Sequence, residues 1–278
     1  MQTKFQVFFS HAFFVAFCAV GLCTQTYILL DLPINKLILL FVFVATICSY
    51  NFYWLVSKFY NNTSVSYLHF AKSNRSHVTL FFAAGILVLM LSFLLPGYWL
   101  AIALSSLFTL LYSLPRWPYA FAKSLRRIGI IKTLLLAFTW TFVTVVIPAA
   151  TIAGKNFGLL VLLFIVRFLF MFLLCILFDA RDAEADLQRD MHTVATDVEK
   201  EFVSLVFKTV YIGFIASILV LVFIFQKFAH AIPFSFTAAL LYGVYLRSKT
   251  HQGYFFYYFI IDGLMLVLSL GSILVTFL

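Results

Sequence analysis

Apolar segments long enough to cross a lipid bilayer recur from one end of this 278-residue chain to the other. About 20 apolar residues span the hydrocarbon core as a helix, and only helices and closed barrels satisfy their backbone hydrogen bonds there. Hydrophobic residues make up 64% of the chain and charged residues 10%, which excludes an ordinary soluble domain. The first apolar segment has no small-residue cleavage site, so we interpret it as a span and not as a signal peptide.

The apolar segments predict an all-α integral membrane protein in which residues 1–278 form a single polytopic domain. We expect nine transmembrane helices, since polar or proline- and glycine-containing connections separate the segments. The connections 58–76, 115–129 and 180–202 are long, and the alternation of spans places them on one side of the membrane. The predicted spans are 7–30, 34–57, 77–95, 98–114, 130–153, 157–179, 203–226, 232–248 and 254–277.

The net charge of +9 is divided unevenly between the two sides of this predicted bundle. Fourteen lysines and arginines fall on the side of the long connections, and only Lys36, Lys155 and Lys227 fall on the opposite side. Because positively charged loops stay in the cytoplasm, we predict a cytoplasmic N-terminus, cytoplasmic long connections and a C-terminus outside. We expect the protein in a membrane, the plasma (inner) membrane of a bacterium, with no nucleic acid as a partner.

Eight of the ten acidic residues lie between Asp179 and Glu201, and none lies between residues 32 and 178. Asp179, Asp182 and Asp186 are spaced i, i+3, i+7, which places them on one face of a helix. Like charges on one face repel, so the cluster is predicted to need cations. The alternative is a solvated acidic helix balanced by nearby arginine and lysine residues.

The stretch from Asp179 to Ala195 resembles the second aspartate-rich motif of the UbiA family of intramembrane prenyltransferases. It differs from the family pattern at Asp190, where the family has Gly, and at Val194, where it has Leu. The matching positions are Asp179, Arg181, Asp182, Glu184, Asp186, Thr193 and Ala195.

This resemblance implies a UbiA-like helical bundle around a central cavity open to the cytoplasmic side. It also implies that Mg²⁺ is held by Asp179, Asp182 and Asp186 and bridges to the diphosphate of a prenyl donor. Asp182 and Asp186 would then be catalytic positions. Mg²⁺ takes few carboxylates together with phosphate oxygens, which agrees with such a motif.

Two basic segments are also similar to the family. Asn74-Arg75 resembles a segment that precedes the third helix, with Ser76 in place of proline, and residues 125–132 resemble the segment leading into the fifth helix. The resemblance implies that Arg75, Arg126, Arg127 and Lys132 bind the diphosphate. The alternative for these residues is that they orient the helices and contact anionic lipid.

The first aspartate-rich motif of the family is lost. Its position corresponds to residues 49–59, where Asn51 fits the leading asparagine but Phe52, Leu55 and Phe59 replace the three aspartates. Asn51 could supply a neutral oxygen to a metal, whereas Phe52 and Leu55 cannot coordinate a hard cation. The sequence therefore keeps one half of the expected magnesium site.

Asp262 is the only carboxylate predicted within a span, roughly 12 Å along its helix at a rise of about 1.5 Å per residue. An ionised group at this depth is costly unless it is paired or hydrated, which makes Asp262 a candidate functional residue. Lys208 is predicted at a similar depth, and Arg167 deeper. We expect Asp262 to face the cavity; the alternative is a structural pair with Lys208 or Arg167.

Two functions follow. The first is a Mg²⁺-dependent, UbiA-like transfer of a prenyl group from a polyprenyl diphosphate to an aromatic or other hydrophobic acceptor. The second is a catalytically degenerate protein of the same fold that binds an isoprenoid, a quinone or a lipid headgroup without turnover. Membrane lipid is a partner in both cases. A transporter is disfavoured, because the sequence has no inverted repeat and few charges within its spans.

Overall fold

The computed structural model describes residues 12–60, 67–113, 129–151, 157–187, 194–197, 199–250 and 253–277. For some residues inside these ranges it describes the backbone alone, namely residues 60, 67, 68, 129, 184–187, 194 and 197. These ranges are helical and contain no β-strand. The prediction of an all-α protein is therefore confirmed for the part of the chain that is described.

Eleven α-helices are numbered here in chain order within the described ranges. Short 3₁₀ turns precede α5 and α10, and π-helical turns lie after α6 and before α11. The helices are α1 Phe13–Leu29, α2 Lys36–Tyr60, α3 Tyr67–Ser73, α4 Arg75–Phe93, α5 Trp99–Ser113, α6 Gly129–Thr141, α7 Phe157–Leu187, α8 Val194–Asp197, α9 Lys200–Phe223, α10 Ala231–Ser248 and α11 Asp262–Val275.

Seven helical segments in the described residues are long and apolar enough to cross a membrane, and α1 is a shorter apolar helix. The outer surface of the bundle carries large apolar side chains. Phe93, Leu100 and Ile212 are 68–76% exposed, which is favourable in lipid and unfavourable in water. The chain is an integral membrane protein. The seven segments are Lys36–Phe59, Arg75–Phe93, Ile130–Ala149, Phe157–Ala183, Lys200–Phe223, Phe228–Ser248 and Phe256–Val275.

Helix α7 continues eight residues beyond the predicted span end at residue 179. The added residues, 180–187, are mostly alanine, arginine, aspartate, glutamate and leucine. Alanine, leucine, arginine and glutamate favour helix, so the helix extends beyond the end of the apolar stretch. Hydropathy marks where the apolar segment stops and not where the helix ends, which explains the difference from the predicted connection 180–202. The acidic residues Asp179, Asp182 and Asp186 therefore lie on one continuous helix.

Helix α6 is interrupted by a π-helical turn, Phe142–Val146, that leads into the short segment Ile147–Ala149. Pro148 has no N–H to donate, so one carbonyl group a turn before it loses its usual partner, and the proline ring crowds that turn. Two α1 side chains bind there: Thr26 Oγ1 donates to the Thr144 carbonyl at 2.7 Å, and Cys23 Sγ donates to the Val143 carbonyl at 3.7 Å. The irregular turn thus fixes α1 against the end of α6.

Helices α1, α7 and α11 contribute side chains to one buried polar network. Arg167 of α7 is 2% exposed, and its Nη2 donates to Gln25 Oε1 at 2.6 Å. Gln25 Nε2 in turn donates to Ser272 Oγ of α11 at 2.7 Å. A Cβ atom added at Gly21 would lie 2.5 Å from Ser269 Oγ and 3.2 Å from Ser269 Cβ, so a side chain there would require Ser269 of α11 to move.

The bundle has two distinct ends. At one end Lys227 Nζ binds Asp31 Oδ2 at 2.7 Å, and the hydroxyls of Tyr98 and Thr151 lie 3.1 Å apart. The other end carries the acidic part of α7 and is called the motif end below. Because α2 and α4 run antiparallel, the last turns of α2 and the first turns of α4 also meet at the motif end.

Candidate functional site

Asp179 of α7 lies against the first turn of α6 at the motif end. The hydroxyl group of Thr133, which is 2% exposed, donates to Asp179 Oδ2. Lys132 is the adjacent residue on α6 and is half-buried. Both Asp179 and Lys132 act electrostatically on the Cys175 thiol, one helical turn before Asp179. The structure therefore brings together two of the residues predicted for the site, one acidic and one basic.

Asp182 is bound by its neighbour in the sequence. Arg181 Nε donates to Asp182 Oδ1 at 2.7 Å, and Arg181 Nη2 donates to Asp182 Oδ2 at 2.9 Å. Both carboxylate oxygens that were predicted to hold a metal thus accept hydrogen bonds from one guanidinium group. The Asp182 side chain is 46% exposed and that of Arg181 is 14% exposed, so the arginine is the anchored member of the pair.

Three aromatic rings surround the guanidinium group of Arg181. Its Cζ lies 5.1 Å from the ring centroid of Phe178, 4.7 Å from that of Tyr257 and 4.9 Å from that of Tyr258. Arg181 Nη2 also donates to the Tyr258 hydroxyl at 3.4 Å. Cation–π contacts at these distances hold an arginine in place. Nothing in the sequence distinguishes Tyr257 and Tyr258 from other tyrosines near span ends, which usually belong to interfacial belts.

The two tyrosines belong to the π-helical turn Phe256–Ile261, which leads into α11. A π turn has a wider backbone than an α-helix and often occurs at functional sites. Here Tyr257 and Tyr258, although adjacent, both contact Arg181, and Asp262 follows directly after the turn. The same irregular turn thus positions the aromatic contacts of Arg181 and the buried carboxyl group.

Asn51 is buried between α2 and α4. Its Nδ2 donates to the Ile47 carbonyl at 2.8 Å, and His77 Nδ1 donates to Asn51 Oδ1 at 2.6 Å. The His77 ring stacks on Trp54, with centroids 3.7 Å apart. The amide oxygen predicted as a metal ligand therefore accepts a histidine N–H. Phe52, at a lost aspartate position, stacks on an aromatic ring of α4.

Asp262 is 8% exposed at the start of α11. No side chain among the described residues donates a hydrogen bond to its carboxyl group; the Cys18 thiol binds its main-chain oxygen at 3.5 Å. The guanidinium group of Arg181 acts electrostatically on this carboxyl group. Neither alternative partner binds it: Lys208 is exposed on the outside of α9, and Arg167 donates to Gln25 and to the Leu22 carbonyl.

An apolar pocket of about 400 Å³ lies between α2, α4, α5 and α6. Its polar side chains are mainly serines and threonines, four of them on α5, and no charged side chain among the described residues lines it. At one side Tyr53 and Tyr112 stack with centroids 5.0 Å apart. Tyr50, one residue before Asn51, lines the pocket and also acts electrostatically on Asp262. The pocket therefore reaches the part of α2 that carries Asn51.

The remaining predicted site residues are distributed as follows. Arg75 is exposed at the first position of α4. Arg126, Arg127 and the side chain of Asp186 lie outside the described residues. Within the described ranges, no group of three or more histidine, cysteine, aspartate or glutamate side chains is placed to hold a metal ion.

Comparison with known proteins identifies the fold. No protein-family profile and no curated protein sequence matches the chain. Two solved structures are similar to it. The apo structure of a UbiA homolog from Aeropyrum pernix K1 covers 95% of this chain and 98% of its own at a TM-score of 0.61, with 12% identity. A digeranylgeranylglyceryl phosphate synthase covers 95% and 96% at a TM-score of 0.56, also with 12% identity.

The similarity extends over nearly the whole length of all three chains, so this protein has the UbiA fold. The expectation of a UbiA-like, all-helical membrane fold is thereby confirmed, whereas nine spans and a cavity open to the cytoplasm stay predictions. At this sequence identity the likeness defines the architecture alone, and the chemistry has to be argued from the residues of this chain.

Proposed function

We propose that this protein is a UbiA-like prenyltransferase, which transfers a prenyl group from a polyprenyl diphosphate to an aromatic or other hydrophobic acceptor with Mg²⁺. The observation that carries the proposal is the position of the acidic motif. In a chain with the UbiA fold, Asp179 and Asp182 lie at one end of α7, with Lys132 beside Asp179. One of the two similar structures is a synthase of digeranylgeranylglyceryl phosphate, a prenylated lipid.

We further propose nine membrane crossings around a central cavity that opens at the motif end, with that end in the cytoplasm. The shorter helices α1 and α5 would then complete the seven longer spans. The excess of lysine and arginine on the side of the long connections supports this orientation, with the N-terminus inside and the C-terminus outside. A bacterial plasma membrane is the proposed location.

The carboxylates at the motif end fit Mg²⁺ by the chemistry of their donor atoms. Magnesium is usually bound through one or two carboxylates, and substrate phosphates and water supply its other ligands. Asp179 and Asp182 provide two carboxylates three residues apart on one helix, and Asp186 is proposed as a third. When bound, the ion would neutralise charge on the departing diphosphate.

The other residues of the site have separable proposed roles. Lys132, Arg75, Arg126 and Arg127 would bind the diphosphate oxygens. The Thr133 hydroxyl orients Asp179. The pocket between α2, α4, α5 and α6 suits the hydrophobic part of a substrate, because the described residues that line it offer apolar contacts and no charge.

A second candidate function is binding of an isoprenoid, quinone or lipid headgroup without turnover. Specific contacts favour it: Arg181 binds both oxygens of Asp182, and His77 binds the Asn51 oxygen. In addition, the lost aspartate positions of α2 contain Phe52, Leu55 and Phe59. A ligand could then be held by the basic residues and the pocket alone.

The test uses the purified full chain in lipid nanodiscs with a radiolabelled allylic prenyl diphosphate. Release of diphosphate is measured with Mg²⁺ and after chelation with EDTA. A transferase predicts magnesium-dependent release that Asp182→Asn reduces at least about 100-fold, a loss of roughly 2.7 kcal/mol in transition-state stabilisation. Asp31→Asn is the matched control, because Asp31 is an exposed aspartate at the opposite end. Saturable binding without release would support the second function.

A further inference from the structure

Helices α9 and α10 run antiparallel and contact each other through aromatic side chains. The rings of Tyr245 and Phe207 lie face to face with centroids 4.0 Å apart, and the hydroxyls of Tyr245 and Ser204 share a hydrogen bond of 2.7 Å. Further along the pair, the Tyr211 hydroxyl donates to the Ala238 carbonyl at 3.0 Å. These contacts define the register of the two helices and the side of each helix that faces the other.

One outer face of this helix pair carries two lysines among apolar residues. At about 3.6 residues per turn, the positions next to the contact residues recur along one side of each helix, and these sides adjoin in an antiparallel pair. The face lies toward the motif end, because Lys227, between the two helices, lies at the opposite end. The outer face consists of exposed residues, namely Leu205, Lys208 and Ile212 of α9, Tyr242 and Leu246 of α10, and Lys249 directly after α10.

Lys208 is a charged residue on the lipid-facing side of a membrane-spanning helix. It lies within the span Lys200–Phe223, roughly 12 Å from the start of α9 at a rise of about 1.5 Å per residue. Its neighbours one helical turn away, Leu205 and Ile212, are exposed apolar residues. A lysine in such surroundings is costly unless its ammonium group reaches a polar partner near the membrane surface.

The ammonium groups of Lys208 and Lys249 lean toward one another. Side chains of a helix lean toward its N-terminus. Helix α9 begins at the motif end, so Lys208 leans toward that end. Helix α10 ends there, so Lys249 leans back along the helix, and its Nζ lies 4.7 Å from the ring centroid of Tyr245. Because Tyr245 is buried, this cation–π contact holds Lys249 above the junction of the two helices.

The outer face carries an excess of positive charge. Lys200 and Glu201, both exposed in the first turn of α9, add one charge of each sign at its end and so leave the charge of Lys208 and Lys249 uncompensated. Within the described ranges, none of these four residues forms an ion pair. Two cations that lean together beside an apolar surface require an anion with an apolar body.

We propose that the outer face binds one anionic phospholipid, with its phosphate group between Lys208 and Lys249 and its acyl chains on the adjacent apolar residues. A phosphate accepts charge-assisted hydrogen bonds from both ammonium groups, and the Tyr242 hydroxyl can donate another. A phospholipid supplies the negative charge and the apolar chains in one molecule. Phosphatidylcholine suits the site less well, because its own cation would lie near the two lysines. The site is separate from the proposed transferase chemistry.

The experiment measures lipid binding to the purified full chain in detergent by native mass spectrometry. Palmitoyl-oleoyl phosphatidylglycerol and the phosphatidylcholine with the same acyl chains are titrated separately, and the Kd of the first bound lipid is determined for each. We expect the Kd for phosphatidylglycerol to be about 10- to 30-fold lower, since each lysine near an anionic headgroup contributes about fivefold. Thermal unfolding in the same detergent gives a second measurement, because a bound lipid raises the unfolding midpoint.

Lys208→Gln and Lys249→Gln should each reduce the preference about fivefold, and the double variant should bind the two lipids about equally. Lys208→Arg retains the charge and should retain most of the preference. Arg247→Gln is the matched control, because Arg247 is an exposed cation near the same end of α10 but on the opposite side of that helix. Glu201→Gln should strengthen the preference, since it removes a negative charge from the end of the face.

Equal Kd values for the two lipids in the wild type would overturn the proposal. An equal loss of preference in Arg247→Gln would do the same, because it would indicate general attraction of anionic lipid to a basic protein. Glycerol phosphate without acyl chains is titrated as well, and binding as tight as that of the lipid would assign the lysines to a soluble phosphate ester. A polypeptide that stays bound to the wild type in place of lipid, and is lost from Lys208→Gln, would assign the face to a protein partner.

Folding and turnover are separated from this result. Both lysines are exposed, so each single variant should unfold near the wild-type temperature in detergent without added lipid. If one variant does not fold, the other decides alone. Loss of the lipid preference with diphosphate release retained would leave the proposed transferase activity in place, and the reverse outcome would leave the lipid site in place.

Discussion

Arg181 and Asp182, adjacent in the sequence, form a two-point salt bridge at the motif end of α7, with N–O distances of 2.7 and 2.9 Å. The bridge joins a residue held by aromatic rings to a carboxylate that is 46% exposed. Any cation that binds Asp182 has to compete with this guanidinium group. Arg181 therefore sets how readily the carboxylate becomes available.

Arg181→Lys should destabilise the protein and weaken its hold on Asp182. An ammonium group cannot donate in parallel to two carboxylate oxygens, and it stacks less well on rings. We expect a loss of about 1–2 kcal/mol, since exposed ion pairs contribute little and cation–π contacts contribute about 0.5–1 kcal/mol each. Thermal unfolding in detergent measures the loss. Arg247→Lys changes an exposed arginine of α10 and should unfold at the same temperature as the wild type. Equal unfolding midpoints for the wild type, Arg181→Lys and Arg247→Lys would contradict the role of the aromatic contacts.

Gln25→Leu should destabilise the protein by about 3–5 kcal/mol, because it removes an acceptor from a buried cation. Arg167 Nη1 already has no hydrogen-bond partner within the described structure. Loss of the hydrogen bond from Nη2 to Gln25 as well is therefore expected to be poorly tolerated. The double variant Gln25→Leu with Arg167→Met should recover part of the stability, since it removes the uncompensated charge. Chemical denaturation of the single and double variants gives the comparison. A double variant less stable than Gln25→Leu would show that the network has another role.

Gly21→Ala should force α1 and α11 apart. The new methyl group would lie 2.5 Å from the Ser269 hydroxyl, and overpacking of this kind costs about 1–3 kcal/mol. Gly243→Ala is the control within the same chain, because a Cβ there meets no atom within 4 Å. Alanine favours helix over glycine, so the control should be neutral or slightly stabilising. If the thermal unfolding midpoints of Gly21→Ala and Gly243→Ala fall by the same amount, the close approach of α1 and α11 at Gly21 is contradicted.

Thr133→Val should reduce the affinity for diphosphate and magnesium more than it reduces stability. The substitution keeps the shape of the buried side chain but removes the hydroxyl that orients Asp179. We expect a decrease in affinity of about three- to tenfold, the effect of one hydrogen bond. Binding of inorganic diphosphate with Mg²⁺ is measured by calorimetry. Thr237→Val, at a fully buried threonine that donates only to a backbone carbonyl, should leave the affinity unchanged.

The sequence predicted the parts of the site that depend on spacing along one helix. The i, i+3, i+7 pattern correctly predicted that Asp179, Asp182 and Asp186 lie on one continuous helix. The apolar segments correctly predicted a helical membrane protein. These features follow from local periodicity and hydropathy, which a single sequence contains.

Contacts between distant helices could not be predicted in this way. Arg181 and Tyr258 are 77 residues apart, and their contact depends on a π-helical turn that hydropathy does not detect. The same is true of the pairing of Asn51 with His77 and of Arg167 with Gln25. Arg167 and Lys208 were candidate partners for Asp262 because the sequence indicates depth along a span, whereas it does not indicate the direction in which each side chain faces.

The position of Arg167 also bears on the passage of ions through the interior of the bundle. This arginine is 2% exposed, lies within the apolar part of α7 and has only neutral hydrogen-bond partners in the described structure. A fixed positive charge at such depth raises the electrostatic energy of any proton or metal ion that would follow the interior past it. A cation could therefore be used at the motif end without dissipating the transmembrane ion gradient.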